Sequence, residues 1–236
     1  MIGNEAFEMK TLQELWPAMI GYIMERGEDI KDERGSNTKE ILNIMWTVTD
    51  PEASAIPKGT PLGARAIEEY RNQLLDPELH GFVYTYGNRL NKYVIFAPEL
   101  SKEQESNIVD QNKTSEKILP GQLFFIDQVQ KIVDRLKANP NTRRAIGVTW
   151  KLPEDFLADE LPCMIMVTFL IRDKKLYTNA VWRSHDMMGA AVPNFIALRE
   201  LARHVAALTE RDLGPITIHS ISAHIYEHDF DAANKI

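Results

Sequence analysis

The sequence predicts an α+β fold, a single domain in which helices pack on one mixed β-sheet. Three observations carry that expectation. The chain has 236 residues, 44% of them hydrophobic, and at this length roughly 70–75% of the unfolded surface is buried on folding, enough for one sizeable core. Segments with near-helical apolar spacing and segments with strand-like alternation both occur. Their order lacks the strict strand–helix–strand alternation of a parallel doubly wound sheet.

Taken in order, residues 11–26 carry apolar side chains at helical spacing, with Pro17 near a start or a kink. Residues 28–37 are charged and turn-like, and 40–49 read as a strand. A Pro- and Gly-rich loop at 51–63 precedes a helical segment at 64–75, and 81–90 read as a strand. Residues 100–120 are polar and read as a surface insertion in a domain that spans 1–236. The clearest helix is 122–138, with Phe125, Val129, Ile132, Val133 and Leu136 on one face and Asn139-Pro140-Asn141 ending it. Strands follow at 144–150, 163–172 and 175–182, the last two joined by a hairpin turn at Asp173-Lys174. A second long helix at 193–208 and a strand at 216–226 complete the pattern.

The formal charge is −7, which argues against nucleic acid as a partner. A single cysteine, Cys163, excludes an internal disulfide and points to a reducing, cytoplasmic setting. No apolar run approaches the ~20 residues that span a bilayer, so no membrane association is expected. The first ten residues lack the apolar centre of a signal peptide.

Several residues invite chemistry. Cys163 reads either as a buried small hydrophobe or as a nucleophile activated by nearby cations. Arg183 lies on the strand that the hairpin folds back beside Cys163, and Arg143-Arg144 form a pair upstream. Arginine forks match phosphate geometry, so in a net acidic chain they point to a small phosphate ligand; surface salt bridges are the alternative. His224 and Tyr226 alternate along a strand and so share a face, either as a core pair or as a clamp on one hydroxyl. His219, His224 and His228 lack zinc-site spacing, and no metal is expected.

Together these segments resemble thymidylate synthases and the related pyrimidine-nucleotide hydroxymethylases, most nearly the short archaeal and phage members. The resemblance runs through Tyr84-Thr85-Tyr86-Gly87, Phe125-Ile126-Asp127-Gln128-Val129, Asn139 to Arg144, Trp150, Leu161-Pro162-Cys163, Arg183-Ser184-His185-Asp186, Asn194 and His224-Ile225-Tyr226, with an echo at Asp32-Glu33-Arg34-Gly35. It implies a mixed-sheet sandwich that forms a homodimer through its sheets. It also implies that Cys163 adds to C6 of a pyrimidine nucleoside monophosphate, that Arg183, Ser184 and Arg34 bind its phosphate, and that Arg143 and Arg144 reach the partner's site. Asn194 corresponds to the side chain that reads the base, and its amide favours uracil. His224 and Tyr226 correspond to the pair on the sugar hydroxyl. Asp186 corresponds to the anchor of 5,10-methylenetetrahydrofolate, and Tyr86 to the hydrogen-bond network near C5. For the general acid/base the sequence offers Glu69, with Glu68 in reserve.

Departures from the family pattern are Met164 after the cysteine, the altered turn Gly189-Ala190-Ala191-Val192-Pro193, and only ten residues after Tyr226. The shortened tail tilts the expected product toward a 5-hydroxymethyl nucleotide, because lids exclude water from such intermediates. The alternatives are dTMP synthesis, hydroxymethylation of dCMP or CMP, and a non-catalytic nucleotide-binding relative.

Overall fold

The computed structural model describes residues 5–96 and 123–236. The stretch expected as a polar insertion, 100–120, lies outside them. In chain order the elements are β1 (Ala6–Met9), α1 (Leu12–Arg26), β2 (Glu28–Lys31), β3 (Asn37–Val48), α2 (Ala64–Tyr70), α3 (Tyr86–Asn91), β4 (Tyr93–Phe96) and β5 (Leu123–Ile126). They continue with α4 (Gln128–Ala138), β6 (Ile146–Val148), β7 (Met164–Arg172), β8 (Lys175–Asp186), α5 (Ala191–Leu208), β9 (Asp212–Tyr226) and α6 (Phe230–Ala233).

Seven strands form one sheet in the order β1-β3-β9-β8-β7-β6, with β2 added to β3. Strands β1 and β3, and β8 and β9, run parallel, while the remaining pairs are antiparallel. The sheet is therefore mixed, as expected. The β7–β8 hairpin turns on Asp173 and Lys174, both at positive φ (49° and 64°), the conformation that a two-residue turn needs to follow the twist of its strands. That turn sets the register that runs from Arg172 opposite Lys175 to Met166 opposite Val181, and a bulge between Met164 and Met166 then shifts it to place Met164 opposite Trp182.

Helix α1 begins with a capping box in which Thr11 and Glu14 satisfy each other's end of the first turn. Its inward face, Leu12, Leu15, Trp16, Met19, Ile20 and Ile23, is fully buried, and each such side chain contributes about 1.5–3 kcal/mol. The Trp16 indole N–H donates to the Met187 carbonyl (2.7 Å), tying α1 to the end of β8. Helix α5 is buried nearly all round along its first half. Among the described residues, no helix is long and apolar enough to cross a membrane.

Four local expectations are corrected. Strands β1 and β2 are real, the second in a segment expected to be a turn, because the long β3 supplies a partner for each. Residues 81–90 do not form a strand: Thr85 caps a helix by accepting from the Asn88 N–H (3.0 Å). Helix α4 starts at Gln128 behind an Asp127 cap, and Phe125 belongs to β5 with 55% of its surface exposed. The segment 64–75 ends its α-helix at Tyr70 and closes with a 3₁₀ turn.

Gly87 in α3 is a packing requirement. A Cβ there would stand 2.1 Å from the carbonyl oxygens of both Gln73 and Asp76. Replacing Gly87 by Ala should cost about 1–3 kcal/mol, as overpacking does, and push α3 off the turn below it. A fall in the urea midpoint with unchanged m-value checks this; unchanged stability would contradict it.

Candidate active site

A cavity of about 410 Å³ opens where the ends of β7, β8 and β9 meet the loop after β2. Arg34, Tyr84, Glu160, Cys163, Arg183, Ser184, His224 and Tyr226 all line it. Six sequence candidates thus meet in one hollow: Arg34, Cys163, Arg183, Ser184, His224 and Tyr226.

Residues 161–164, which carry the cysteine, are held from several sides. The Arg183 backbone N–H donates to the Cys163 carbonyl (2.8 Å). Its guanidinium Nε donates to the carbonyl of Pro162 (3.0 Å) and Nη2 to that of Leu161 (3.1 Å). From the other side the Tyr84 hydroxyl donates to the Leu161 carbonyl (3.0 Å), and the Met164 N–H donates to the Tyr86 hydroxyl oxygen (3.1 Å). Thr149 adds a hydroxyl bond to the Met164 carbonyl. Arg183 therefore fixes the cysteine segment as well as facing the cavity.

Burial pushes the Cys163 thiol above its ordinary pKa, while Arg183 and Arg34 pull it back down. Three phenols surround it. Tyr84 is pushed up to about 12, chiefly by burial and then by the Cys163 charge. Tyr86, only 8% exposed, is raised well above its ordinary value for the same two reasons. Tyr70 is raised by burial, by Tyr84 and by Cys163. All three phenols stay protonated; Tyr84 and Tyr70 spend their hydrogens on the Leu161 carbonyl and Asn194 Oδ1, while the Tyr86 hydroxyl accepts from the Met164 N–H and keeps its hydrogen to donate.

His224 and Tyr226 share a face of β9, their rings edge to face at 5.0 Å. The Asp32 carboxylate accepts from the N–H groups of Arg34 (3.0 Å) and Ser36 (2.7 Å), shaping the turn that presents Arg34. The Arg34 guanidinium pairs with Glu160 at 3.2 Å. Asp186 ends β8, and its Oδ1 accepts from the N–H groups of Met188 (3.1 Å) and Gly189 (2.9 Å). Burial raises its carboxyl pKa.

Other candidates lie elsewhere. Arg143 and Arg144 are exposed and border a separate hollow of about 530 Å³ with Arg135 and Asn139. Asn194 is buried behind the cavity, bonded to Tyr70 and His185. Glu69 does not face the cavity. It stands on the outer side of α2, 66% exposed and paired with Arg65; Glu68 is likewise turned outward and paired with Arg71. The residue that α2 turns inward is Tyr70, which the sequence reading passed over. The signal was present: Ile67, Tyr70 and Leu74 recur at i, i+3 and i+7, the inward stripe of a helix. Glu40 and Glu160, also missed, line the cavity along with Asp32 and Glu33 of the loop that carries Arg34.

A cysteine beside an arginine in one polar cavity, at the end of a mixed sheet, is an arrangement suited to a group-transfer enzyme. The chain belongs to the thymidylate synthase family, whose model matches residues 85–236. A "Putative thymidylate synthase" of Methanothermobacter thermautotrophicus is 37% identical over 246 residues, covering 98% of this chain and 97% of that protein. The same-named protein of Methanothermobacter marburgensis is 37% identical over 98% of each chain, and that of Methanosarcina barkeri 35% identical over 96% of this chain and 92% of its own. The family transfers one carbon to a pyrimidine nucleotide with methylenetetrahydrofolate as co-substrate.

The charge balance at Cys163 gives a pH signature. Because burial holds the thiol protonated, its alkylation by iodoacetamide should rise only above the ordinary thiol range. Arg183→Ala removes a neighbouring cation, so the midpoint should move to still higher pH and alkylation at pH 8 should slow about threefold to tenfold. Arg183→Lys, which keeps the charge, should move the midpoint less. A midpoint unmoved by Arg183→Ala would contradict the assignment.

Proposed function

We propose that the chain transfers one carbon to C5 of dUMP through a bond between the Cys163 sulfur and C6, with dTMP as product. The observation that carries this reading is Cys163 itself, half-buried, fixed from both flanks and walled by Tyr70, Tyr84 and Tyr86.

In this reading Arg183, Ser184 and Arg34 take the phosphate, and incoming phosphate replaces Glu160 on Arg34. His224 and Tyr226 take the sugar hydroxyl. Phosphate binding and loss of the thiol proton place the Cys163 thiolate against C6. Sulfur bonds to C6, and the displaced ring electron pair moves toward C5 and O4, making C5 nucleophilic. After the transfer, loss of the C5 proton would expel the folate nitrogen from the new carbon, and a hydride arriving at that carbon would drive the sulfur off C6 as thiolate, which restores the ring double bond. Tyr86 stays protonated beside the sulfur and donates where charge develops. With Glu69 and Glu68 on the outer face of α2, Glu160 and Glu40 are the carboxylates positioned to move a proton by way of water.

The residues fit a reduced folate. Asp186 Oδ2 is free of the bonds that occupy Oδ1 and suits a ring N–H, while Tyr70, Phe82, Val83, Tyr84 and Tyr86 wall an adjoining hollow of about 340 Å³ that suits a flat ring. When bound, methylenetetrahydrofolate supplies the one-carbon unit and, for the methyl product, a hydride. The phenol wall favours hydride by keeping water from the new carbon, and the names of the archaeal relatives agree. A 5-hydroxymethyl product is the second reading, favoured by the polar side of the cavity, where Glu40 accepts from Ser222.

We also propose a homodimer in which Arg143 and Arg144 serve the partner's phosphate. Their exposure and their distance from their own chain's cysteine cavity support it, as does the half-buried outer face of the sheet around Ile165, Met166 and Val181.

Tritium release from C5-labelled dUMP tests the reaction class, and product mass tests the branch. Wild type with methylenetetrahydrofolate should release tritium and form dTMP with dihydrofolate, and Cys163→Ser should lose at least about 10³-fold in rate. No tritium release would overturn the function; a hydroxymethyl product with tetrahydrofolate would overturn the branch.

A further inference from the structure

A sugar hydroxyl gripped by His224 and Tyr226 has one bond left to make. A hydroxyl carries two lone pairs and a single hydrogen. The His224 ring N–H and the Tyr226 O–H can fill the lone pairs, and the hydroxyl's own hydrogen then needs an acceptor.

The register of the sheet puts a carboxylate at that place. Glu40 of β3 lies directly opposite His224 of β9, so the two side chains share a face with their Cβ atoms about 4.5–5.5 Å apart. Thr38 pairs with Tyr226 and Leu42 with Ser222, which makes Tyr226 and Ser222 the diagonal neighbours of Glu40 on that face. Tyr226 is itself held between two rings, edge to face with His224 and stacked on His228 at 5.4 Å. A carboxylate accepts and does not donate, so Ser222 Oγ gives its hydrogen to Glu40 Oε1 (2.5 Å). That bond orients the carboxylate and leaves Oε2 without a bond among the described residues.

Glu40 also differs from the other acidic groups of the cavity. A carboxylate weakens the binding of a phosphate dianion in the same hollow unless it serves the ligand elsewhere. Asp32 shapes the turn that presents Arg34, and Glu160 pairs with the Arg34 guanidinium. Glu40 stands instead across from the hydroxyl clamp.

We propose that Glu40 is a specificity-determining residue whose carboxylate accepts the hydrogen of the sugar 3′-hydroxyl, so that the site requires a nucleotide with that hydroxyl free. The inference rests on the reading of the chain as acting on dUMP, with His224 and Tyr226 on the sugar. It gives Glu40 to the sugar and leaves proton movement by way of water to Glu160. A nucleotide without the hydroxyl leaves a half-buried carboxylate and its clamp unpaired, the condition under which a site rejects an analogue strongly.

The test measures dissociation constants of dUMP and of 2′,3′-dideoxy-UMP by calorimetry on wild type and Glu40→Leu, together with tritium release from C5-labelled dUMP by wild type. Wild type should prefer dUMP by about thirtyfold or more. Glu40→Leu removes the acceptor at similar size. It should cut that preference by about tenfold or more, through weaker dUMP binding, while the dideoxy nucleotide binds no worse than before. A structural role, or a role in carrying a proton, would leave the preference unchanged. If Glu40→Leu fails to fold, as judged by thermal melting, Glu40→Ala decides by the same criterion. A preference within twofold of wild type overturns the sugar contact, and so does a wild type that binds both nucleotides alike; tritium release by wild type would then leave the Cys163 chemistry standing. Wild type that binds dUMP without releasing tritium overturns the reaction, and the ratio still decides the contact. Wild type that does neither overturns both together.

Discussion

The arrangement depends on how Arg183 grips the segment that carries Cys163. One backbone N–H and two guanidinium nitrogens of Arg183 bond to the three successive carbonyls of Leu161, Pro162 and Cys163. A guanidinium is planar and permanently charged, so these bonds are directional and persist at any pH the fold survives. They hold the sulfur at the mouth of the sheet and keep a cation beside it. The same residue thus shapes the nucleophile's backbone and offsets the cost of forming its thiolate in a partly buried place.

That grip is a consequence of register. The Asp173-Lys174 turn pairs β7 with β8, and a bulge between Met164 and Met166 shifts the register by one residue so that Arg183 meets Cys163. Parallel pairing of β8 with β9 sets Asp186 beside His224, so side chains far apart in sequence reach one hollow. The Tyr84 and Tyr86 bonds then close the other flank, and Gly87 lets α3 sit close enough to make them. Behind this wall the polar chain from Tyr70 through Asn194, His185 and Ser220 to Trp46 is satisfied at every link, which is the condition for burying polar groups without a large penalty.

Much of this was legible in the sequence where the signal was local. Helix α1, the β7–β8 hairpin and the body of α5 follow from periodicity and turn chemistry. Cys163, Arg183, Ser184, His224 and Tyr226 stand out by residue type and spacing along the chain, and the fold brings all five to one cavity. Signals that depend on a distant partner were not legible. β1 and β2 are four-residue edges that exist because β3 pairs with them. Residues 81–90 carry strand-like side chains, yet the Thr85 cap and the Asn91 side-chain bond to the Gly87 carbonyl turn their second half into a helix. Phe125 fitted the apolar face of a helix, but its ring lies near the Lys92 ammonium (5.6 Å) on the surface. Glu69 was chosen by residue type on a short helix, and a shift of one residue along α2 exchanges an outward carboxylate for the inward phenol of Tyr70.

The most direct test of the central claim is mass spectrometry of the intact chain after incubation with 5-fluoro-dUMP and methylenetetrahydrofolate. Fluorine at C5 cannot leave as a proton does, so the sulfur–C6 bond should persist. The account predicts a covalent mass increment of nucleotide plus folate on the peptide that contains Cys163, absent from Cys163→Ser. An unmodified chain under saturating ligands, with the fold intact, would contradict it.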